Sequence, residues 1–424
     1  MKSDIIVIGA GASGLMAARE LGKNGKKILV LEARDRVGGR IAPISEEMLG
    51  YPLEGAAEFV HGNGAVTRAL LAEANMHVVP VEGDYWSVHS GSPKKNDFLE
   101  VEKGAFTEKL STLTEDISMS EFISAYFSDE KYEVLRNDVT RMIEGYDAGD
   151  LDRISALAIR DEWANEEGWE QGRVMEGYGA MVAFLESECK KQGTEIVLNT
   201  EVTGIEMTDQ GVAIHTKTGA AYEAEKVIVT VALPIIKTIS FTPAIPEKMA
   251  AIDAMGFGPA IKMFLKFKTE FWKPLNNGEY KDMQMIISNE LMSTWWTQYP
   301  HDIPIITGWF AGPKVWQFKE SSDEEILDIA LTCLAKTFSL EKEMLQNELV
   351  ASKVMNWAAD PYTQGAYSYP TVGYKESADI LLESIQDKLF FAGEALYTGK
   401  EIATVEGALA SGKEVAEKIL SIPA

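Results

Sequence analysis

Three glycines and a carboxylate carry the first chemistry that the chain offers. Gly9, Gly11 and Gly14 form a G-x-G-x-x-G pattern after the apolar residues 5–8, and Glu32 closes a second strand-like stretch at residues 27–31. Residues spaced in this way suit a dinucleotide. Gly9 allows a tight turn, Gly11 lets backbone approach a pyrophosphate, and Gly14 lets a helix lie close on the strand. That helix would open at Ala12 and Ser13, with free N–H groups and a partial positive charge facing the anion. Glu32 can accept hydrogen bonds from both hydroxyls of an adenosine ribose, and an acid there disfavours a 2′-phosphate. Further reactive side chains lie downstream, each with a plainer reading beside it. His61 adjoins Gly62 in the small-residue stretch 53–62, where it is either a ligand-facing group or a loop histidine bonded to backbone. Lys262 shares its strand with Lys266, and a solvated strand face explains such lysines equally well. Trp357 and Tyr367 belong to residues 356–369, whose Trp, Tyr and Gly make either a packed surface corner or the wall of an apolar cavity.

Apolar periodicity indicates which elements must position these groups. Residues 4–32 read as one βαβ unit. Spacings of three and four predict helices at residues 120–127, 129–146 and 177–191. Strands are expected at residues 195–198, 212–216, 227–231, 283–287, 305–310 and 389–391. Ile261, Met263, Leu265 and Phe267 alternate with Lys262, Phe264, Lys266 and Lys268, which predicts a strand with one apolar and one partly basic face. A helix should follow Asp323, with Ser322 and Glu325 at capping-box spacing and Cys333 on its apolar side. Residues 76–173 read as a mainly helical insertion with a polar loop at 90–97, and Trp163 and Trp169 as core or cavity wall. Val202 begins a strand, where plain sheet core is as good a reading as a ligand contact.

With 424 residues the chain should divide into two or three domains. Its 65 acidic and 40 basic residues, a net charge of -25, argue against nucleic acid and anionic membrane as partners. An acidic surface could draw in cationic substrates, although a generally acidic cytoplasmic protein is the simpler reading. Cys189 and Cys333 are the only cysteines and have no metal-ligand spacing, so neither a disulfide framework nor a metal is expected. A strand starting at residue 4, no long apolar run and the ending SIPA lead to the expectation of no signal peptide and no membrane anchor.

The run Glu32-Ala33-Arg34-Asp35-Arg36-Val37-Gly38-Gly39-Arg40 resembles the extended fingerprint of the flavin amine oxidase family, in which the second glycine pair and its arginine serve FAD. Similar motifs recur at residues 53–62, 177–202, 227–272 and 357–412. The resemblance implies an α/β fold: a doubly wound, Rossmann-like FAD-binding domain from residues 1–75, 174–240 and 360–424, and a discontinuous α+β substrate domain from 76–173 and 241–359. It also implies roles. Ala57 and Glu58 lie in the segment that passes the flavin, and His61 matches a histidine at the substrate cavity of polyamine oxidases. Val202 matches a backbone contact to adenine, and Lys262, rather than Lys266 or Lys268, matches a lysine that holds a water against flavin N5. Trp357 matches a tryptophan against the flavin and Tyr367 a tyrosine facing the amine. Gly393 and Glu394 match the ribityl or phosphate region, while Thr404 and Val405 open a helix aimed at the ring carbonyl, where developing negative charge is stabilised. Thr404 takes the place of a second tyrosine in monoamine oxidases, as in animal polyamine oxidases and histone demethylases. Ala366 stands where mitochondrial monoamine oxidases carry a flavin-linking cysteine, so the FAD should be non-covalent there.

The implied reaction is oxidation of a small-molecule amine to an imine, with oxygen reduced to hydrogen peroxide. An amino acid oxidase would need an arginine where Phe59 stands, though Arg68 or Arg173 could substitute. A desaturase or porphyrinogen oxidase would share the cofactor domain, and a flavin-bound protein without turnover is a further alternative. Which amine is taken, and in what oligomeric state, depends on the divergent insertion and is not legible.

Overall fold

A computed structural model describes residues 3–89, 91–95, 103–164 and 170–423. An eight-stranded sheet runs Glu195–Val197, Ile28–Leu31, Ser3–Ile8, Ala221–Val229, Gly211–Thr216, Val202–Thr208, Ser240–Thr242, with Leu389–Phe391 also beside Ala221–Val229. The strands around Ser3–Ile8 are parallel. Ile5 and Val7 pack into one core with the helices Ala12–Lys23, Tyr178–Lys191 and Val405–Ser421, whereas Ile6 and Ile8 enter a second core with Pro246–Ala254 and Tyr374–Leu382. Successive strand side chains point to opposite faces, so an unbroken apolar run requires cover on both. The fold is therefore a doubly wound α/β architecture.

A seven-stranded sheet runs Leu349–Asn356, Ala260–Phe267, Ile305–Ala311, Thr294–Thr297, Met283–Ser288, Asp84–His89, Ser92–Lys95. Ile261, Met263, Leu265 and Phe267 face the helix Asp323–Phe338, including Cys333. Lys262 and Phe264 therefore face the other way, toward the first sheet's loops. The capping box of Ser322 and Glu325 is present.

Residues 103–163 contain the helices Lys103–Ser111, Met119–Tyr126, Glu133–Tyr146 and Ala156–Trp163. Upstream of them, Asp84–His89 and Ser92–Lys95 form an antiparallel hairpin, with the second strand where a polar loop was expected. Trp86 and Val88 alternate into the core, and Pro93, Lys94 and Lys95 occupy the sheet edge, where proline and lysine discourage further pairing. Trp169 and part of the 90–97 stretch lie outside the described residues. Among the described residues no helix is long and apolar enough to cross a membrane.

Candidate active site

The turn after Ser3–Ile8 is built around absent side chains. Gly9 has φ +105°, and a Cβ on Gly14 would lie 2.0 Å from the Gly9 carbonyl oxygen, so strand and helix meet there without room for another atom. Gly11 is different: a Cβ there would meet nothing within 4 Å, because its Cα faces open space. The helix Ala12–Lys23 starts with no side-chain cap, and its first-turn amides have no intrahelical acceptors. The buried Ser13 hydroxyl beside them has no hydrogen-bond partner. Such a cradle of unpaired donors fits a pyrophosphate. Glu32 is held by the Ala10 and Arg34 amides at 2.7 and 2.8 Å, one on each carboxylate oxygen.

The loop beyond Glu32 is pinned by its arginines. Arg36 donates to the carbonyls of Val37, Gly39 and Ile41, and so holds Gly38 and Gly39 in their turn. Arg34 forms a two-bond pair with Asp360 at 2.9 and 2.6 Å. Arg40 reaches Glu394 at 2.7 Å, and the other oxygen of Glu394 accepts from Ser368 at 2.6 Å. These bonds tie residues 34–40 to segments more than 300 positions away in the chain.

One cavity of about 1630 Å³ borders on all of these elements. Every residue to which the family resemblance assigns a cofactor or substrate contact lines it except Gly14, which lies beneath its wall. Ala33, Ala57 and Val202 contribute apolar wall, as do Gly393 and Val405. Thr404 caps the helix Val405–Ser421, accepting from the Gly407 amide at 3.2 Å and donating to the Glu401 carbonyl at 2.6 Å. Trp357 is buried and donates to the Gly55 carbonyl at 3.1 Å.

Lys262 is only 1% exposed, which removes the solvated-face reading. Its Nζ donates to the carbonyls of Glu54 and Ala56 at 2.7 and 3.1 Å and to the Glu58 carboxylate at 2.7 Å. Glu58 also receives Arg173 at 2.9 Å and the Trp296 indole at 3.2 Å. Burial alone would raise the Glu58 pKa, but Lys262 and Arg173 hold it below the ordinary carboxylate value of 4.5.

Tyr367 donates to the Tyr146 carbonyl at 2.6 Å, and its ring lies parallel to Trp309 with centroids 6.3 Å apart at 7°. Trp309 comes from the second sheet, directly opposite Lys262 in register, so the two side chains share one face. His61 Nδ1 lies 3.2 Å from the Tyr146 hydroxyl, and burial lowers its pKa to about 4. Near these rings Asp147 and Glu162 share a hydrogen bond. Burial raises both, Glu162 to about 7, and Asp147 is raised further by its neighbour.

Sequence reasoning missed Trp309, Tyr146, Asp147, Glu162 and Trp296, all of which border the cavity. Strand parity could have found Trp309, because its pairing with Lys262 follows from an antiparallel register. Nothing local marks Asp147 or Glu162 among the chain's 65 acidic residues.

A family model, flavin containing amine oxidoreductase, matches residues 12–420. Lysine-specific histone demethylase 1 homolog 3 of Arabidopsis thaliana is 28% identical over 99% of this chain and 30% of its own length. Polyamine oxidase 4 of Oryza sativa subsp. japonica is 26% identical over 98% of this chain and 88% of its own. The chain spans between 30% and 53% of the length of three histone demethylases that it matches. A structure of putrescine oxidase bound to putrescine superposes with a TM-score of 0.82 at 20% identity, covering 100% of both chains, which shows a common fold.

Proposed function

The chain belongs to the family of flavin-containing amine oxidoreductases, and from that premise we propose that it oxidises an amine C–N bond to an imine, passing the electrons to oxygen. It is an oxidoreductase with a flavin cofactor. When bound, the flavin supplies the two-electron acceptor: a hydride equivalent leaves the amine Cα, water hydrolyses the imine to an aldehyde or ketone, and oxygen takes the two electrons with two protons as hydrogen peroxide.

The chain's own residues would do the following. Gly11, Ala12 and Ser13 would hold the pyrophosphate of FAD, and Glu32 its ribose. Gly38, Gly39, Arg40 and Glu394 would close over the middle of the cofactor, with Val202 at the adenine. The helix opened by Thr404 and Val405 would direct its partial positive charge at the ring, and Trp357 would pack against it. Ala366 leaves no sulfur at the linking position, so the cofactor would be held without a covalent bond there. Tyr367 and Trp309, parallel and each hydrogen-bonded to a backbone carbonyl, would orient the amine. With its pKa near 4, His61 would be neutral in the working range and would offer the substrate a hydrogen bond rather than a charge. Lys262 would be the cation at the ring end. The division into a cofactor domain of residues 1–75, 174–240 and 360–424 and a substrate domain of 76–173 and 241–359 belongs to this proposal, as does a cytoplasmic address.

The observation that carries the reading is the single cavity bordered both by the open Gly11 turn with the unpartnered Ser13 hydroxyl and by the Tyr367–Trp309 pair. An amino acid oxidase would need a cation free to meet a carboxylate. Arg173 is committed to Glu58, and Arg68, away from the cavity lining, donates to the Asn63 carbonyl. The test is anaerobic bleaching of the flavin by spermine, phenethylamine, a cyclic amine and an α-carboxylated amine. At least one amine should bleach it and the amino acid should not. Bleaching by the amino acid alone, or by none, would overturn the reading.

A further inference from the structure

Around Lys262 Nζ stand three protein acceptors at 2.7, 3.1 and 2.7 Å: two carbonyls and the Glu58 carboxylate. A neutral amine has two protons and would point its lone pair at the third acceptor, whereas an ammonium has three protons and satisfies all of them. The geometry is that of an ammonium with no donor left over. The rings of Trp296 and Phe264 complete its surroundings, with centroids 5.2 and 5.3 Å from Nζ.

Glu58 is the anionic member of this shell. Its carboxylate receives Lys262, Arg173 and Trp296, which spends it on the protein. We propose that Glu58 is a positioning residue that locks Lys262 as a fixed, fully bonded ammonium, so that Lys262 acts on the reduced cofactor through its charge and Glu58 sets the pH range over which that charge persists. The proposal rests on the reading that the ring end of the cavity holds the flavin.

Every charged group facing Lys262 bears on the outcome. Glu58 and Glu54 favour its charge, while burial and Arg173 oppose it; burial is the largest influence. Tyr51 and Tyr85 lie further out, near Arg173. Glu54 has one carboxylate oxygen without a partner and, being buried, titrates near 7, so it contributes an inflection of its own. Removing Glu58 must lower the pH at which Lys262 loses its proton. Removing Arg173 must raise it, because Glu58 is then left to Lys262.

The experiment uses holoenzyme reduced by light instead of an amine, so the oxygen step is read whether or not any amine is a substrate. Two quantities are followed from pH 6 to 10 in the parent, Glu58→Gln, Glu58→Asp, Arg173→Gln and Lys262→Met: the reoxidation rate and the flavin midpoint potential by spectroelectrochemistry. A Glu54→Gln control identifies the inflection due to Glu54. In Glu58→Gln the alkaline inflection should move down by about one pH unit or more in both quantities, with reoxidation above it slowed about tenfold. Arg173→Gln should move it up, Glu58→Asp should restore it, and Lys262→Met should abolish it. An inflection at the same pH in the parent and in either charge variant would overturn the proposal. So would a Glu58→Gln effect that persists undiminished in a Lys262→Met background. If Glu58→Gln fails to hold flavin, the upward shift in Arg173→Gln decides alone.

Discussion

Glu58 and the pair Asp147–Glu162 are carboxyls buried beside the same cavity, and they are held in opposite states. Burial pushes each of them toward the neutral form. For Glu58 two cations and an indole N–H reverse that push, and the carboxylate stays ionised. Asp147 and Glu162 are dominated by burial and by each other, and two acids sharing a hydrogen bond must keep a proton between them. Burial therefore does not determine ionisation here; the partner does. One part of this end of the cavity carries a fixed network of charges, and another, near Tyr367, carries a proton that comes and goes around neutral pH.

The largest effect should come from Glu58→Ala. It leaves Lys262 and Arg173 buried without their anion and should cost about 3–5 kcal/mol in urea unfolding at pH 7. A cost under about 1 kcal/mol would mean that the network is not the buried ion pair described. The second effect separates the regions by pH. The folded pKa of Glu162 lies above the ordinary 4.5, so the folded state binds the extra proton and stability falls as pH rises from about 4.5 to about 7. Glu162→Gln should remove that fall and raise the melting temperature at pH 8 relative to the parent. Glu58 has the opposite sign: its stabilisation is present above 4.5 and is lost as pH falls below it. Glu58→Gln should thus differ from the parent mostly above that pH, and parallel melting curves for both variants would erase the contrast. The smallest effect is expected of Trp296→Phe, which keeps the ring but removes one N–H from Glu58, at about 1 kcal/mol.

The same contrast explains what could be read in the chain. Gly9, Gly11, Gly14 and Glu32 announce themselves because one strand–turn–helix–strand unit contains both the motif and its geometry. Alternation from Ile261 to Phe267 was enough to put Lys262 on the face away from the aliphatic core. It was not enough to show that this face is buried rather than wet, since the cover comes from Glu54, Ala56 and Glu58, more than 200 residues earlier. The hairpin at Asp84–His89 was hidden for a related reason: an edge strand of proline and lysine looks like a loop until the sheet it borders is known.

By itself, then, the sequence determined the two periodicities that build a doubly wound sheet, a glycine turn whose shape suits a dinucleotide, and the family to which the chain belongs. Those features are local, and backbone sterics and side-chain spacing enforce them within a few residues. Tertiary structure decided which carboxyl would be charged, which lysine would be dry, and that Trp309 would stand against Tyr367. Each of these depends on the dielectric and the partners that distant segments bring together, and an ionisable side chain has no fixed state until those neighbours are in place.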